Sequence, residues 1–364
     1  MFVPARRVHW ATDQSIGNAH VEICDRQNAL ARNAANLRAL GSPFVASVLE
    51  AGERQLFRAP RTAALIHDWC GDVAAAALSM RFNTALHALA RGGVPAILQA
   101  LYRRDHDDFD AAVGTAMADH DAFIATWMRD PPQTNEVARA APIMAALMVA
   151  ARTVRMPFEL LELGSSAGLN LNLGRYAYDL GGTIAGAPAS DVKIAPEWRG
   201  ASPPTAAVEI ATARGVDLNP LDAADPKTRE RLLSHVFADQ PERAARLCAA
   251  LSLAQRHPPK IGRADAAVWL SRQLSTAQPV GQCRAVFHSM VLQYLDPTDY
   301  RTVIDAIAAA GAQATSTRPF VWISLEWTQD RTAVQLWLTS WPDRSVRHLA
   351  TCHPYGAWIE WHGE

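Results

Sequence analysis

The stretch at residues 158–170, Phe-Glu-Leu-Leu-Glu-Leu-Gly-Ser-Ser-Ala-Gly-Leu-Asn, constrains the fold most strongly, because a short apolar run ends there in a loop bracketed by two glycines. The run is bounded by Pro157 and Gly164, which is typical of a buried parallel strand. Gly164 can adopt the positive φ of a tight turn, and Gly168 lets the following helix approach the strand closely. Glu162 is unusual, because a carboxylate near the end of a buried strand needs a partner. The stretch therefore predicts a site for a nucleotide-like ligand.

The chain is predicted to contain two domains, because 364 residues exceed what a single core usually holds. Residues 1–152 show helical periodicity and few strand signals, which predicts an all-helical N-terminal domain. From residue 153 to 364, short apolar runs alternate with helical segments, as in a Rossmann-like, doubly wound α/β sheet of mostly parallel strands. Residues 176–206 carry little helical period and are interpreted as an insertion, a small hairpin or a lid. We expect the helical domain to cap the Rossmann-like domain.

Several apolar runs are candidate strands of this sheet. The expected parallel strands lie at 160–163, within 208–220, and at 260–265, 284–289 and 320–326. The runs at 334–339 and 358–361 predict a closing antiparallel pair, because no helical pattern lies between them.

Charge and composition exclude several classes of function. Lys and Arg total 35 and Asp and Glu total 36, so there is no net basic field for binding nucleic acid. The five cysteines form no CxxC pair, and neither a disulfide framework nor a metal site is indicated. The N-terminal residues contain no apolar signal region, and no run of about 18 apolar residues occurs. We expect a cytoplasmic protein that acts on a small molecule and contacts no membrane.

The glycine loop resembles a known cofactor motif. Residues 162–168, Glu-Leu-Gly-Ser-Ser-Ala-Gly, have the pattern acid, x, Gly, three residues, Gly, which is similar to the first motif of class I methyltransferases, the enzymes that use S-adenosylmethionine. The resemblance implies that backbone amides of Gly164, Ser165 and Ser166 approach the methionyl group of this cofactor. It also implies that Glu162 accepts hydrogen bonds from the methionyl ammonium.

The same resemblance implies roles for residues at the ends of the other strands. An acid after the second strand would hold the ribose hydroxyls, and an acid after the third strand would accept from the adenine amine. The further cofactor-binding candidates are Asn170, Asp217, Asn219, Asp265, Ala266 and, upstream, Asn135 and Glu136. The fourth strand would bring the catalytic candidates to the edge where the methyl acceptor lies. These candidates are His288, Ser289 and Tyr294.

Longer strings resemble a bacterial family that is defined only as a domain of unknown function. They include residues 162–173, Arg-Tyr-Ala-Tyr at 175–178, Glu-Trp-Arg-Gly at 197–200, Asp-Leu-Asn-Pro-Leu-Asp at 217–222 and Asp-Gln-Pro-Glu-Arg at 239–243. The resemblance covers nearly the whole chain and implies no established reaction.

The ribose-binding acid has two candidates. Asp217 lies 53 residues beyond Gly164, whereas this acid usually follows the loop by about 20 residues. Asp179 is closer, but the chain from Gly168 to Asp179 is too short for a crossover helix and a second strand. Asp217 is therefore preferred.

A rival hypothesis starts from the same loop. Residues 164–168 match G-x-S-x-G, the nucleophile elbow of α/β-hydrolases, with Ser166 as nucleophile and Asp265 with His288 or His353 as partners. A hydrolase sheet would have earlier strands, yet the residues before 158 predict helices. A third hypothesis is a non-catalytic binding protein of the same fold. Simpler roles also stay open, since His288 can be a core histidine and Asp217 and Asp265 can cap helices.

Overall fold

The computed structural model describes residues 28–70 and 76–363, so the expected helical region at residues 1–27 lies outside the described residues. The chain divides into two compact units, Met1–Pro131 and Pro132–Glu364. This division differs from the boundary expected after residue 152. The difference arises because the helix at Ala140–Val154 is buried on nearly every side and packs onto the sheet of the second unit.

The described residues of the first unit form helices. They are α1 (Ala34–Ala39), α2 (Pro43–Arg54), α3 (Pro60–His67), α4 (Leu78–Arg91), α5 (Ala96–Arg103) and α6 (Phe109–Trp127), with short 3-10 helices at Ala31–Asn33 and Leu56–Arg58. Sequence signals set several of their starts. Pro43 and Pro60 occupy first helical positions, and the Asp108 carboxylate caps α6 by accepting from the Ala111 N–H at 2.9 Å.

The second unit alternates strands and helices. Its helices are α7 (Ala140–Val154), α8 (Pro226–Ser234), α9 (Pro241–Arg256), α10 (Ala266–Ser275) and α11 (Pro297–Ala312), with 3-10 helices at Val137–Arg139, Leu169–Arg175 and Leu292–Tyr294. Its strands are β1 (Phe158–Leu163), β2 (Ala177–Leu180), β3 (Thr183–Gly186), β4 (Lys193–Ile194), β5 (Glu197–Arg199), β6 (Ile210–Asp217), β7 (Ile261–Arg263), β8 (Cys283–Ser289), β9 (Phe320–Trp327), β10 (Val334–Trp341), β11 (Ser345–Cys352) and β12 (Trp358–Trp361).

The described strands form one large sheet and one small sheet. The large sheet has the order β5-β12-β11-β10-β9-β8-β1-β6-β7, and the small one has the order β3-β2-β4. Strands β7, β6, β1, β8 and β9 run parallel, whereas β9 to β12 form an antiparallel meander. The second unit is thus a mixed α/β fold with a large, mostly parallel central sheet.

Strand β1 lies at the centre of the parallel part and is buried along its whole length. Side chains alternate between the two faces of a strand. Phe158 and Leu160 pack in the core that contains α7 and α9, and Leu161 and Leu163 pack in the core with α10 and α11. Burying a leucine of this kind contributes about 1.5–3 kcal/mol, so both faces hold the strand in place.

Two expectations need correction. The runs at 334–339 and 358–361 do not pair with each other, because β11 lies between β10 and β12 and pairs with both. The loop after β1 does not open into a regular α-helix but into the 3-10 helix Leu169–Arg175. The insertion at residues 176–206 contains the hairpin β2–β3 together with β4 and β5.

One described segment meets a length and hydropathy test for a membrane span. Val137–Val154 is long enough and its mean hydropathy is high enough, although Arg139 and Arg152 interrupt the apolar residues, and 72% of it is buried inside the structure. Burial of this extent is usual for the core helix of a globular unit, and one such segment is weak evidence for a span.

Candidate functional site

The loop after β1 is a tight turn with three residues in the left-handed region. Gly164, Ser166 and Gly168 have φ values of +66°, +55° and +67°. Glycine adopts this conformation at little cost, whereas a residue with a Cβ pays about 1–2 kcal/mol. Backbone strain of this kind clusters at functional sites, which directs attention to Ser166.

Both glycines also allow close packing. A Cβ on Gly164 would lie 2.4 Å from Cγ2 of Val291, and a Cβ on Gly168 would lie 2.7 Å from side-chain atoms of Pro259 and Ile261. Larger residues therefore do not fit at either position. The loop is consequently covered by side chains from the segments that follow β8 and precede β7.

Hydrogen bonds from the neighbouring strand hold the loop. The Ser165 N–H donates to the carbonyl of Val216 at 2.9 Å, and the Ser166 N–H donates to Oδ2 of Asp217 at 2.8 Å. The Leu169 N–H donates to Oδ1 of Asn135 at 2.9 Å. Asp217 and Asn135 were both predicted site residues, and the structure brings both to the glycine loop.

Glu162 is buried without full compensation. It is 2% exposed, and its Oε2 has no hydrogen-bond partner among the described residues. Burial raises the pKa of Glu162 to about 8; the charge of Asp217 acts in the same direction, and hydrogen bonding with Ser165 and Asn170 acts against it. The carboxyl group is therefore largely protonated near neutral pH unless a donor or a cation joins it.

Two further polar atoms, one in the glycine loop and one in the 3-10 helix that follows it, share this lack of partners. Oδ1 of Asn170 and Oγ of Ser166 are buried and make no hydrogen bond within the described part of the chain. Buried polar atoms are usually satisfied. Glu162 and Asn170 both offer acceptor oxygens, so a ligand that donates several hydrogen bonds, such as an ammonium group, would satisfy them together.

Asp217 ends β6 and faces the loop. Its Oδ1 accepts from the Asn219 N–H at 2.8 Å and lies 3.5 Å from the Gln133 amide nitrogen. The Asn219 side chain accepts from Arg263 at 3.1 Å. The other candidate, Asp179, is exposed on the small sheet, where it accepts from the Gly182 N–H at 2.8 Å. The geometry thus favours Asp217 as the acid of the site.

Asp265 follows β7 and caps α10. Its Oδ1 accepts from the Val268 N–H at 3.0 Å, and Ala266 is the first residue of that helix. Capping is a sufficient structural reason for an aspartate here. Its position after the third parallel strand is the one predicted for contact with an adenine.

His288, the first of the three predicted catalytic residues, has both ring nitrogens engaged in contacts within the protein. His288 is fully buried, its Nδ1 lies 2.6 Å from Oε1 of Glu326, and its Nε2 accepts from the Trp322 indole N–H at 2.9 Å. Both ring nitrogens are therefore engaged, and His288 has no nitrogen free to accept a substrate proton. This arrangement favours the simpler role of a core histidine.

The other two candidates differ in accessibility. Ser289 is half-buried, and its carbonyl oxygen lies 3.5 Å from Nη1 of Arg139. Tyr294 is 78% exposed at the end of a 3-10 helix. Only Tyr294 presents its side chain openly to solvent, so it is the more accessible of the two.

A serine hydrolase triad is not assembled in the described residues. Oγ of Ser166 has no hydrogen-bond partner in the part of the chain that the structure describes, whereas an activated serine requires a base within reach. His288 pairs with Glu326 and not with Asp265. The Nδ1 of His353 accepts from the Tyr355 N–H at 3.2 Å. The strained φ of Ser166 is the one observation that favours the hydrolase hypothesis.

Glu136 is part of an ion pair that the sequence pattern did not predict. Its Oε2 accepts from Nη2 and Nε of Arg243 at 2.6 and 2.9 Å, and its Oε1 accepts from the Ala138 N–H at 3.1 Å. Arg243 also stacks on the ring of Tyr355 at 4.2 Å. These residues are distant in the chain, so no local periodicity indicated their contact.

The second unit is therefore a mixed α/β domain in which a glycine loop and unpaired acceptor groups meet at the centre of a mostly parallel sheet. The chain belongs to the family DUF2332, described as an uncharacterized protein conserved in bacteria, whose model matches residues 27–361. The predicted resemblance to a bacterial domain family of unknown function is thus confirmed. Neither the curated proteins nor the solved structures include a match to this chain.

Proposed function

We propose that the second unit binds S-adenosylmethionine at the carboxyl ends of β1 and β6 and transfers its methyl group to a small molecule. The observation that carries this proposal is the pair of unpaired acceptors, Glu162 and Asn170, beside the glycine loop. A buried carboxylate without a countercharge costs free energy even where neutral groups donate to it, and the methionyl ammonium would supply that charge.

The order of the parallel strands supports the same position. Numbered along the chain, the strands of the parallel part run third, second, first, fourth and fifth, as β7, β6, β1, β8 and β9. The connections reverse direction between β1 and β8, and ligands of open α/β sheets bind outside the carboxyl ends of the strands at such a point. This is the strand order of Rossmann-like and class I methyltransferase-like sheets, and the closing meander β10 to β12 is where this chain departs from a simple doubly wound pattern.

The residues at this edge fit the parts of the ligand. Glu162 and Asn170 would accept from the ammonium, whereas the amides of Ser165 and Ser166 already donate to Val216 and Asp217. Asp217 already accepts from two N–H groups and keeps lone pairs for the ribose hydroxyls. Asp265 and Ala266 lie after the third strand, toward the adenine.

The bound cofactor supplies the reactive methyl group on its sulfonium. The protein contributes mainly by holding the acceptor in line and by excluding water. Tyr294 is the accessible candidate at the acceptor side, because both nitrogens of His288 are engaged. Its role would be to orient the acceptor or to accept its proton.

A non-catalytic binding protein is the second candidate. The observation that favours it is the cover over the loop, where Val291 lies against Gly164 and Pro259 lies against Gly168. In this case the ligand would bind after a shift of Val291 and no methyl transfer would follow.

Calorimetric titration with S-adenosylmethionine and S-adenosylhomocysteine tests the proposal. We expect micromolar binding that Asp217→Asn weakens by about tenfold or more, the effect of losing charge-assisted hydrogen bonds. Asp179→Asn is the matched control, because Asp179 is exposed on the small sheet and should leave the affinity unchanged.

Circular dichroism of each variant separates loss of binding from loss of folding. Absence of binding by the folded wild-type protein would refute the proposal. Equal weakening of binding by Asp217→Asn and Asp179→Asn would show that Asp217 does not hold the ribose. Binding without formation of S-adenosylhomocysteine across a broad panel of acceptors would favour the non-catalytic candidate.

A further inference from the structure

Glu326 lies at the carboxyl end of β9, next to the end of β8. The last pair between these parallel strands is Ser289 with Leu325, so Glu326 lies just beyond the ladder. Ligands of open α/β sheets bind outside the carboxyl ends of such strands. The Val291 N–H donates to Oε1 of Glu326 at 2.9 Å, and the Val291 side chain packs against Gly164. Glu326 is therefore close to the glycine loop, at the edge where the methyl acceptor is expected.

One oxygen of Glu326 takes every hydrogen bond that the described residues make with this side chain. Oε1 lies 2.6 Å from Nδ1 of His288 and accepts from the N–H groups of Val291 and Leu292 at 2.9 and 3.3 Å. Oε2 receives no hydrogen bond within the described part of the chain, and the side chain stays 14% exposed. The carboxylate is thus fixed through one oxygen, while the other is open to a ligand.

The direction of the hydrogen bonds defines the protonation of His288. The Trp322 indole N–H can only donate, and it lies 2.9 Å from Nε2 of His288, so Nε2 is an acceptor. A histidine with one accepting nitrogen is neutral and carries its hydrogen on the other nitrogen, which makes Nδ1 the donor to Glu326. In the ranges 28–70 and 76–363, no lysine or arginine forms an ion pair with Glu326. His288 therefore orients the carboxylate without neutralising its charge.

A general base needs a free lone pair within reach of the proton that it removes. His288 offers none, because both of its ring nitrogens are engaged. Tyr294 is exposed, which suits contact with the acceptor but leaves its hydroxyl in water. Among these three side chains, only Glu326 combines a negative charge with an oxygen that no described residue occupies. The carboxylate is thus the base that this edge of the sheet provides.

We propose that Glu326 is the general base of the methyl transfer and that the methyl acceptor is an amine or a hydroxyl compound. The inference rests on the proposed methyltransferase function. The acceptor's nitrogen or oxygen attacks the methyl carbon of S-adenosylmethionine and forms the new bond. The bond from this carbon to sulfur breaks, and its electron pair stays on the sulfur of S-adenosylhomocysteine. The proton of the acceptor's N–H or O–H group passes to Oε2 of Glu326 and then to solvent.

Methyl transfer to a panel of small amines, alcohols and phenols tests the inference, with formation of S-adenosylhomocysteine as the readout. Thiols are included as acceptors of another class. We expect the wild-type protein to methylate members of the amine or hydroxyl arms, and the arm that reacts identifies the methylated atom. Glu326→Gln should lower kcat by about 100-fold or more, the usual contribution of a general base, and leave the Kd of S-adenosylmethionine unchanged.

Two further variants separate a catalytic role of Glu326 from a structural one. Glu326→Gln keeps an acceptor for the three donors on Oε1, whereas Glu326→Asp shortens the side chain but keeps a base. Glu326→Asp should therefore be the more active of the two, and a structural role predicts the reverse order. Glu360→Gln is the matched control, because Glu360 is an exposed glutamate of β12 in the same sheet and its loss should leave kcat unchanged.

Chemical labelling of the wild-type protein tests the open oxygen without any variant. A water-soluble carbodiimide with glycinamide should modify Glu326 and abolish turnover, as read by peptide mass spectrometry and by the same assay. Glu159 is the internal control, because both of its oxygens form ion pairs and it should stay unmodified. Absence of modification at Glu326 in folded protein would overturn the inference, since a base must be reachable by the acceptor.

The inference and the proposed function fail through different results. Absence of binding of S-adenosylmethionine would refute the proposed function. Cofactor binding with an unchanged kcat in folded Glu326→Gln, or with turnover of thiols alone, would overturn the role of Glu326 and leave a methyltransferase standing. Cofactor binding without turnover of any panel member would also overturn the inference.

Discussion

Two glutamates of β1 are buried to a similar degree, but only one of them forms ion pairs with arginines of the neighbouring strands. Glu159 lies near the start of the strand, and its side chain forms ion pairs with Arg284 of β8, at 2.7 Å, and with Arg214 of β6. Glu162 lies near the end of the strand, and its Oε2 has no partner among the described residues. The two positions are three residues apart, so the side chains point to opposite faces of the sheet.

The two glutamates differ in whether the neighbouring strands supply a positive charge. Both strands next to β1 contribute an arginine to Glu159, so the fold is able to compensate a buried carboxylate. At Glu162 the partners in register are Gly215 and Phe287, which cannot donate through a side chain. The uncompensated acid lies at the carboxyl end of the strand, where ligands bind in α/β sheets.

The largest expected effect is that of Glu159→Gln. The change leaves the buried guanidinium of Arg284 without its countercharge, which should lower the free energy of unfolding by about 3–5 kcal/mol in urea titrations. Glu197→Gln is the control, because its ion pair with Arg199 in β5 is exposed and should contribute less than about 1 kcal/mol. Equal effects of the two changes would contradict the structural role of Glu159.

The pH dependence of stability tests whether Glu162 is uncompensated. The pKa of Glu162 is about 8 in the folded protein and 4.5 as an ordinary value, so the folded state holds a proton that the unfolded state releases between these values. Stability should therefore fall as pH rises from about 5 to 8, by roughly 3 kcal/mol from this group. Above pH 8 both states are ionised and the fall ends.

Glu162→Gln should remove this fall, because glutamine stays neutral. The difference between wild type and variant, measured by urea unfolding at several pH values, isolates the group from histidines such as His235, whose pKa burial lowers to about 4. A variant with the same pH slope as the wild type would show that Glu162 is compensated as Glu159 is.

Glu326 offers an intermediate case on β9. Its Oε1 lies 2.6 Å from Nδ1 of His288 and accepts from the Val291 N–H at 2.9 Å. Glu326→Gln keeps an acceptor but loses the charge, so we expect a loss of about 1–3 kcal/mol in unfolding free energy. A larger loss than that of Glu159→Gln would reverse the ranking of the compensated acids.

The smallest expected effect is that of Ser166→Ala. Oγ of Ser166 has no hydrogen-bond partner in the described ranges 28–70 and 76–363, so its removal should change stability by less than about 1 kcal/mol. Ser165→Ala is the adjacent control, because Oγ of Ser165 donates to the carbonyl of Glu162 at 3.3 Å and should contribute more. Covalent labelling of wild type by a serine-directed probe, lost in Ser166→Ala, would instead support the hydrolase hypothesis.

Much of the parallel sheet was predictable from local patterns. The structure has strands at each of the five predicted positions. The continuous apolar pattern of a buried strand explains β1 and β8, whereas β6 and β7 are largely half-buried or exposed. Strand β11, with the pattern Ser-Val-Arg-His-Leu-Ala-Thr-Cys, escaped prediction because its first half is largely exposed and polar. Helix α7 lies in the second unit, and the periodicity that predicted it does not show which residues cover a helix.

Local sequence patterns indicated part of the candidate site and missed the rest. Adjacency in the chain indicated the loop, Glu162 and Asn170, and the position at a strand end indicated Asp217. The contacts of His288 with Glu326 and Trp322, and the ion pair of Glu136 with Arg243, join segments that are far apart in the chain. No spacing rule reaches such contacts.

The sequence by itself determined the parallel strands, the glycine loop and the presence of an acid in a buried strand, because these depend on the order of apolar residues and on glycine's backbone freedom. The tertiary structure alone decided which buried charges are compensated. Glu159 and Glu162 are alike in type and burial. Only the residues that the neighbouring strands place beside them give Glu159 its ion pairs and leave Oε2 of Glu162 without a partner among the described residues. Electrostatic compensation depends on distances between side chains brought together by folding, which no local pattern encodes.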